Sequence, residues 1–235
     1  MSTLLDIRRI NSGYGPKQVL HDISLQIVEG EVVLLVGSNG SGKSTLFKVI
    51  YGLLRAWSGE VSFEGALLQS PQLHTPASRL IGRGLMYIPQ KGELYEDMSV
   101  RDNLYCSLLH LRGRSEIDQR MEEVLEQMPL LKNRSKQTVG RLSGGERKML
   151  SLGMVIANRP RLLFYDEPLA GLSEDNTEQV LSYIQNLRTQ GTSIVLIEHR
   201  IRELMGHVDR VLGLRLGRLY TGDLSTLDNI KQFIV

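Results

Sequence analysis

The chain has 235 residues, of which 41% are hydrophobic, and its 28 basic and 26 acidic side chains give a formal net charge of +2. This length and apolar content exclude a disordered chain and suit one α/β domain, or a domain with a subdomain, around a sizeable core. The charges are of mixed sign without a long basic run, which argues against nucleic acid as a partner. The one cysteine, Cys106, cannot form an internal disulfide, which suits a reducing compartment.

The N-terminal stretch MSTLLDIRRI lacks the basic segment and the apolar segment of a signal peptide. No apolar run approaches the roughly 20 residues that a membrane-spanning helix needs. We therefore expect a soluble, cytoplasmic protein, unless a partner holds it at a membrane.

The first part of the chain alternates between strand and helix patterns. VLHDISLQI (19–27) and GEVSFEG (59–65) alternate polar and apolar residues, as half-buried strands do. EVVLLVG (31–37) is a continuous apolar run, typical of a strand buried on both faces. Residues 43–53 carry one apolar stripe and predict a helix. GLMYIPQ (84–90) predicts another apolar strand.

The pattern turns helical between Ser99 and Lys136, and this block interrupts the strands. Ser99 caps the first helix there, with Asp102 completing an imperfect capping box. Strands and helices then alternate again, which predicts a parallel sheet with helical layers. The later predicted elements are a helix near 116–127, an amphipathic helix in 142–158, a strand at 161–168, a helix at 174–190, a strand at 193–199, a hairpin at 210–222 and a short closing helix.

A glycine-rich segment follows the EVVLLVG strand and opens a predicted helix. Residues 37–44, GSNGSGKS, match G-x-x-x-x-G-K-[ST] in the strand–loop–helix context that this pattern requires. Glycines let successive N–H groups converge on an anion, and the helix N-terminus adds partial positive charge. Lys43 supplies charge for the β- and γ-phosphates, and Ser44 is the expected Mg²⁺ ligand. The predicted nucleotide-binding residues here are Gly37, Ser38, Asn39, Gly40, Ser41, Gly42, Lys43, Ser44 and Thr45.

Polar side chains end three other predicted strands. Asp166 and Glu167 follow LLFY, and the carboxyl ends of parallel strands form the ligand edge of a sheet. Asp166 is placed to hold Mg²⁺, and Glu167 to orient or deprotonate the attacking water. His199 is placed to bond the γ-phosphate and the water, and the Gln90 amide to reach Mg²⁺ or the water. Alone, either of the last two is most often incidental. With Lys43, these three side chains, Glu167, His199 and Gln90, are the predicted catalytic residues.

LSGGE (142–146) places a serine and two glycines at a second helix start, which predicts a second anion site. One loop already holds the nucleotide, so this site needs another phosphate or another subunit. A symmetric dimer meets that need, with Ser143, Gly144 and Gly145 of one copy closing on the γ-phosphate held by Lys43 of the other.

The ordered set GSNGSGKST, PQ, LSGGE, LLFYDEP and IEH resembles the ATP-binding cassette (ABC) ATPase family over nearly the whole chain. The resemblance implies a P-loop α/β fold of ABC type, with a mixed, mostly parallel core sheet, an antiparallel β subdomain and a helical subdomain. It implies one domain over 1–235, in which 1–90 and 137–235 form the RecA-like core with the antiparallel subdomain, and about 91–136 form the helical subdomain.

The resemblance also implies two ATP molecules with Mg²⁺ between two subunits, and transmembrane permease subunits as partners. Tyr14 would stack on adenine, although an ordinary surface tyrosine is the alternative. Residues 95–98 would contact the transmembrane partner. The ATPase would lie on the inner face of the cell membrane without touching the transported substrate.

Two positions depart from the commonest family pattern. Glu146 stands where glutamine is more usual, and Ser173 stands where many members have aspartate. Both variations are familiar among ATPases similar to the branched-chain amino acid importers. ATPases of lipopolysaccharide export are nearly as similar and often have PQ at positions 89–90, where branched-chain members often carry glutamate in place of Gln90.

Three functions remain open at this point. The first is the transport-coupled ATPase of an ABC transporter, of branched-chain amino acid import type or of lipopolysaccharide-export type. The second is a soluble ABC ATPase that acts on nucleic acid or ribosomes, although the chain lacks the second cassette or long coiled-coil insertion of such proteins. The third is a regulatory subunit that binds ATP and barely hydrolyses it, which intact Lys43, Glu167 and His199 argue against.

Overall fold

The computed structural model describes residues 2–90 and 94–234. Its strands are β1 (Thr3–Tyr14), β2 (Lys17–Val28), β3 (Val32–Val36), β4 (Ser58–Phe63), β5 (Ala66–Gln69), β6 (Leu85–Ile88), β7 (Leu162–Asp166), β8 (Ser193–Ile197), β9 (Arg210–Arg215) and β10 (Arg218–Tyr220). Its helices are α1 (Lys43–Ile50), α2 (Ala77–Leu80), α3 (Val100–Ser107), α4 (Arg114–Gln127), α5 (Pro129–Arg134), α6 (Gly144–Asn158), α7 (Glu174–Thr189), α8 (Ile201–Leu204) and α9 (Leu227–Ile234).

Two β-sheets organise these elements. The six-stranded sheet has the order β10-β9-β3-β8-β7-β6, and every neighbouring pair except β10 and β9 is parallel. The four-stranded sheet has the order β2-β1-β4-β5 and is antiparallel. The predicted fold class, a mostly parallel α/β core with an antiparallel β subdomain and a helical subdomain, is confirmed.

Strand β3 lies at the centre of the larger sheet and is buried on both faces. Val32, Leu34 and Val36 pack into the core shared with α3, α4 and α6, whereas Val33 and Leu35 pack into the core beneath the antiparallel sheet. Successive side chains of a strand point to opposite faces, so an apolar run is what a strand between two cores requires. The phosphate-binding loop therefore begins from one of the most buried strands of the molecule.

Strand β1 has no counterpart among the predicted elements. It pairs with both β2 and β4, but its register shifts at several positions, and Arg9 has a left-handed φ of 46°. Such bulges insert extra residues and break the strict alternation that identifies a strand in a sequence. The first strand was missed because its irregular pairing removes the expected pattern.

Two local predictions at helix ends differ from the structure. The first helix was expected to reach Leu53 but ends at Ile50, since Gly52 takes a left-handed φ of 68° and a Cβ there would lie 2.1 Å from the carbonyl oxygen of Thr75. The capping box at the start of α3 is complete, because the side chains of Ser99 and Asp102 each bond the other's backbone N–H.

Helices α3 to α5 form an arm that begins and ends at a paired neck and packs against α6. Ser99 and Thr138 form an isolated antiparallel bridge, and backbone hydrogen bonds join 96–101 to 135–140 on either side of it. We call residues 99–138 the helical arm. The boundary predicted at Lys91 lies outside the described residues.

The turn between β9 and β10 supports both sheets and the glycine-rich loop. The N–H of Gly217 donates to the carbonyl of Ser41 at 2.9 Å, and its own carbonyl accepts the N–H of His21 at 2.8 Å. Gly217 has a φ of 71°, and a Cβ at this position would lie 1.8 Å from the carbonyl oxygen of Val19. Only glycine fits this close approach of two backbones.

We expect Gly217→Ala to lower the free energy of unfolding by about 2–5 kcal/mol, because the added methyl group combines left-handed strain with overlap against β2. Urea denaturation of the purified chain measures this change. Gly65→Ala is the matched control: φ there is 74°, but nothing lies within 4 Å of the added Cβ. A Gly217→Ala chain as stable as the Gly65→Ala chain would contradict the steric argument.

Candidate functional site

The glycine-rich loop runs from the end of β3 to the start of α1 with its backbone in left-handed conformations. Gly37, Gly40 and Gly42 have φ values of 157°, 78° and 108°. A Cβ on Gly37 would lie 2.2 Å from the carbonyl oxygen of Leu214, so the sheet itself requires glycine there. Gly42 is the N-cap of α1 and offers no side-chain cap, which leaves the first N–H groups of the helix free to face an anion.

Lys43 curls back over the loop. Its Nζ donates to the carbonyl oxygens of Gly37 at 2.7 Å and Ser38 at 3.1 Å, and the side chain is largely buried. Burial lowers the pKa of Lys43, and the nearby carboxylates of Asp166 and Glu167 act in the opposite direction. The ammonium group is thus held above the loop, where a phosphate group would take over its hydrogen bonds.

Ser44 and Asp166 meet at the base of the site. The Ser44 hydroxyl donates to Oδ2 of Asp166 at 2.9 Å. Burial is the main cause that raises the pKa of Asp166, with a smaller contribution from Glu167, while the Ser44 bond opposes it. Adjacent hydroxyl and carboxylate oxygens are hard ligands that fit Mg²⁺. These two residues are therefore suited to hold that ion.

Tyr87 is a further neighbour of Asp166 that sequence reasoning missed. It lies on β6, is 7% exposed and is close enough to Asp166 to interact with that carboxylate. Burial, followed by the charge of Asp166, raises the pKa of the Tyr87 hydroxyl. The apolar strand pattern conceals this residue, because a tyrosine in such a run is normally read as core.

Glu167 lies between two of the other predicted catalytic residues. Its Oε1 is 3.3 Å from Nε2 of His199, and the amide of Gln90 donates to its Oε2. Glu167 also has a left-handed φ of 53°, which costs of the order of 1–3 kcal/mol for a residue other than glycine. The turn after β7 therefore keeps a strained backbone that aims this carboxylate toward the ends of β6 and β8.

One cavity of about 430 Å³ collects most of the predicted site residues. Lys17, Val19 and Ile197 line it as well, although the sequence did not single them out. Tyr14 stands at its rim, 46% exposed. The predicted residues that line the cavity are Tyr14, Asn39, Gly40, Gly42, Lys43, Ser44, Thr45, Gln90, Asp166, Glu167 and His199.

The LSGGE segment does not line this cavity. Ser143 and Gly144 are exposed at the start of α6, where Ser143 and Glu146 form a capping box. Glu146 Oε2 accepts the Ser143 N–H at 2.8 Å and Oε1 lies 3.2 Å from Arg134, and the Ser143 backbone bond is the main cause that lowers the pKa of Glu146. The unusual glutamate thus caps its helix. Ser143 and Gly144 are exposed, Gly145 is half-buried, and none of the three lines the cavity of the same chain.

Ser173, the other departure from the common pattern, also caps a helix. Its hydroxyl accepts the N–H of Asn176 at the start of α7 at 3.4 Å. Serine and aspartate are both favoured at this helix position, so the local structure tolerates the exchange.

The topology, the glycine-rich loop and the strand-end carboxylates together define a P-loop nucleotide-binding protein. The family model described as "ABC transporter" matches residues 20–170. The chain belongs to the ABC transporter family.

Curated relatives and solved structures cover nearly the whole chain. It is 32% identical to the high-affinity branched-chain amino acid transport ATP-binding protein BraG of Pseudomonas aeruginosa, over 94% of this chain and 92% of that protein. It is also 32% identical to the lipopolysaccharide export system ATP-binding protein LptB of Acidithiobacillus ferridurans, over 94% and 90%. A nucleotide-free ATP-binding cassette from an ABC transporter matches with a TM-score of 0.84 at 24% identity, over 98% and 96%, which shows the shared fold.

The similarity to ATP-binding subunits of ABC transporters, including one for branched-chain amino acids, is confirmed. Within residues 2–90 and 94–234, no helix has both the length and the apolar character that crossing a bilayer requires.

Proposed function

We propose that this chain is the ATP-hydrolysing subunit of an ABC transporter. One observation carries the proposal: a single cavity brings Lys43, Ser44, Asp166, Glu167 and His199 together at the carboxyl edge of the parallel sheet. These are a phosphate-binding cation, two metal-binding oxygen donors, a general base and a polar partner for that base. The family match supports the same function.

In the proposed reaction, the loop and Lys43 bind the triphosphate. Ser44 and Asp166 would hold Mg²⁺, and the Gln90 amide would reach that ion or the water. When bound, the ion would neutralise phosphate charge. Glu167 orients and deprotonates the attacking water, while His199 hydrogen-bonds Glu167 and the γ-phosphate. Catalysis rests on positioning and on the charges around the phosphate groups.

We propose a dimer as the working unit. Ser143 and Gly144 are exposed, and neither they nor the half-buried Gly145 line the cavity of their own chain. In a dimer with a second copy or a sister ATPase, these three residues would close on the γ-phosphate bound by the other subunit. ATP binding would close the dimer and hydrolysis would reopen it. We also propose that residues 1–235 form one cassette, with 91–136 as its helical subdomain.

Membrane permease subunits are the proposed partners, and residues 95–98 at the base of the helical arm are the proposed contact. Tyr95 is 61% exposed there, which suits a docking residue. The chain would then lie on the inner face of the cell membrane and act on neither nucleic acid nor the transported substrate.

Phosphate release by the purified chain with Mg²⁺ and ATP tests the proposed enzyme. Affinity capture from detergent-extracted membranes tests the coupling, and we expect integral membrane subunits in the eluate. The transport function would be overturned if the ATPase pelleted with ribosomes or DNA and captured no integral membrane subunit.

Branched-chain amino acid import is the proposed transport type, since BraG is among the similar relatives over nearly the full length. Lipopolysaccharide export is the second candidate, because LptB is equally identical and this chain has Gln90 in place of glutamate. Reconstituting the captured complex separates them: ATP-driven leucine uptake into vesicles supports the first, and ATP-driven lipopolysaccharide extraction supports the second.

Tyr14 is proposed to stack on the adenine ring at the rim of the cavity. We expect Tyr14→Ala to weaken ATP binding by about 5- to 100-fold, because stacking of a base on an aromatic ring contributes about 1–3 kcal/mol. Tyr14→Phe keeps the ring and should bind within about twofold of the parent chain, as measured by calorimetric titration.

Tyr95→Ala is the control for this measurement, since Tyr95 is exposed and does not line the cavity. Equal losses in Tyr14→Ala and Tyr14→Phe would point to the hydroxyl group and contradict stacking.

A further inference from the structure

Glu198 is a buried carboxylate beside the site that the proposed reaction does not use. It follows β8 directly and is 3% exposed. Its Oε1 accepts the N–H of Leu169 at 2.6 Å, and its Oε2 accepts the N–H groups of His199 at 2.7 Å and Arg200 at 3.1 Å. Three backbone donors satisfy the two oxygens, which is how a buried carboxylate avoids the cost of desolvation.

These donors come from two different loops. Leu169 lies in the loop after β7, two residues beyond Glu167, whereas His199 and Arg200 begin the loop after β8. One carboxylate therefore sets the spacing between the loop that carries the proposed general base and the loop that carries its histidine partner. The N–H of Glu167, donating to the carbonyl of Ile197 at 2.8 Å, is a second link between the same loops.

The side chain of Arg200 also joins the loop after β8 to the region that follows β7. Its Nη1 donates to the carbonyl of Leu172 at 3.2 Å and to Oγ1 of Thr177 at 2.8 Å, and its Nε lies 3.1 Å from Glu203. Glu198 and Arg200 lie on either side of His199. Their hydrogen bonds connect the loop after β8 to the segment between β7 and α7 and to the first turn of α7.

The alternation of the strand explains why Glu198 faces inward. Ile197 and His199 line the cavity, and Glu198 between them does not. Successive side chains in extended backbone point to opposite sides, so the carboxylate lies behind the wall of the cavity and contacts its backbone.

We propose that Glu198 is a positioning residue for hydrolysis, which holds His199 and Glu167 at their working separation. This inference rests on the proposed function. The glutamine in Glu198→Gln has one acceptor oxygen, and its NH₂ group would face a backbone N–H, so one of the two loops loses its anchor. We expect kcat to fall by about 10- to 100-fold, because misplacement by about 1 Å costs up to that factor. The Kd for ATP should stay within about twofold, since Glu198 lies outside the nucleotide cavity.

The test measures kcat and the Kd for ATP in four chains: the parent, Glu198→Gln, His199→Ala and the double variant. If Glu198 acts by placing His199, the glutamine substitution should lower kcat much less in the His199→Ala background than in the parent. A merely structural contribution would give the same fold-loss in both backgrounds.

Ser193→Ala is the matched control. Ser193 is fully buried at the opposite end of β8, and its hydroxyl accepts the N–H of Gly30 at 2.9 Å. It should lower stability in thermal unfolding and leave kcat within about twofold. If Glu198→Gln does not fold, Glu198→Asp replaces it, because aspartate keeps both oxygens and shortens their reach; its kcat should fall with the same dependence on His199.

The outcomes separate this inference from the function on which it rests. A parent chain that hydrolyses ATP, with a Glu198→Gln variant at full kcat or with equal losses in both backgrounds, overturns the role of Glu198 alone. A parent chain that binds ATP without hydrolysing it overturns the proposed function and this role together.

Discussion

Replacing Glu167 by glutamine is expected to slow phosphate release by about 10²- to 10⁴-fold, the range that general-base catalysis contributes. The substitution keeps the shape of the side chain and leaves the left-handed turn after β7 intact. It removes the carboxylate that sits 3.3 Å from His199 and accepts from Gln90. Binding groups such as Lys43 are unchanged, so ATP affinity should persist.

The same variant should accumulate the ATP-bound dimer, because hydrolysis, the step proposed to reopen it, is slowed. Size-exclusion chromatography with and without ATP measures the dimer, and steady-state phosphate release measures the rate. Glu178→Gln is the control, since Glu178 is an exposed carboxylate on α7. Undiminished hydrolysis by Glu167→Gln would remove Glu167 from the role of general base.

Replacing Lys43 by alanine should weaken ATP binding by about 10- to 100-fold, since hydrogen bonds to a charged group contribute about 1.5–3 kcal/mol. The ammonium group lies over the loop on the carbonyl oxygens of Gly37 and Ser38, where the phosphates would bind. Hydrolysis should fall with it, because in the proposed reaction the same charge would stabilise the transferred phosphoryl group.

Equilibrium titration with ATP measures the loss. Lys132→Ala, which removes an exposed charge from α5, controls for the change in net charge and should bind ATP as the parent does. A Lys43→Ala chain that keeps full affinity would mean that the phosphates bind elsewhere.

The sequence predicted the parts of the fold and site that short-range patterns encode. Strand β3 followed from an unbroken apolar run, and the loop at 37–44 followed from its glycine spacing and its flanks. Asp166, Glu167 and His199 were singled out because each lies at or just after the end of a buried strand. Parallel pairing of β7 with β8, and of β8 with β3, then brings these strand ends to one edge.

What the sequence could not supply depends on distant or irregular contacts. Glu198 bonds the backbone of Leu169, which is 29 residues away, and no local pattern records such a pairing. Tyr87 is concealed in an apolar strand, and β1 lacks alternation because of its bulges. The role of LSGGE in a dimer stays a proposal, because that segment does not line the cavity of its own chain.

The helical arm is joined to the rest of the chain in two ways, by its paired neck and by the packing of its helices against α6. Segments 96–101 and 135–140 leave the core bonded to each other, so the distance between the two attachment points does not depend on what lies beyond them. Because apolar side chains of the arm belong to the same core as β3 and α6, exchanging the arm would also require repacking that core. The helical arm and strand β3, which leads into the glycine-rich loop, are therefore linked through one packed core.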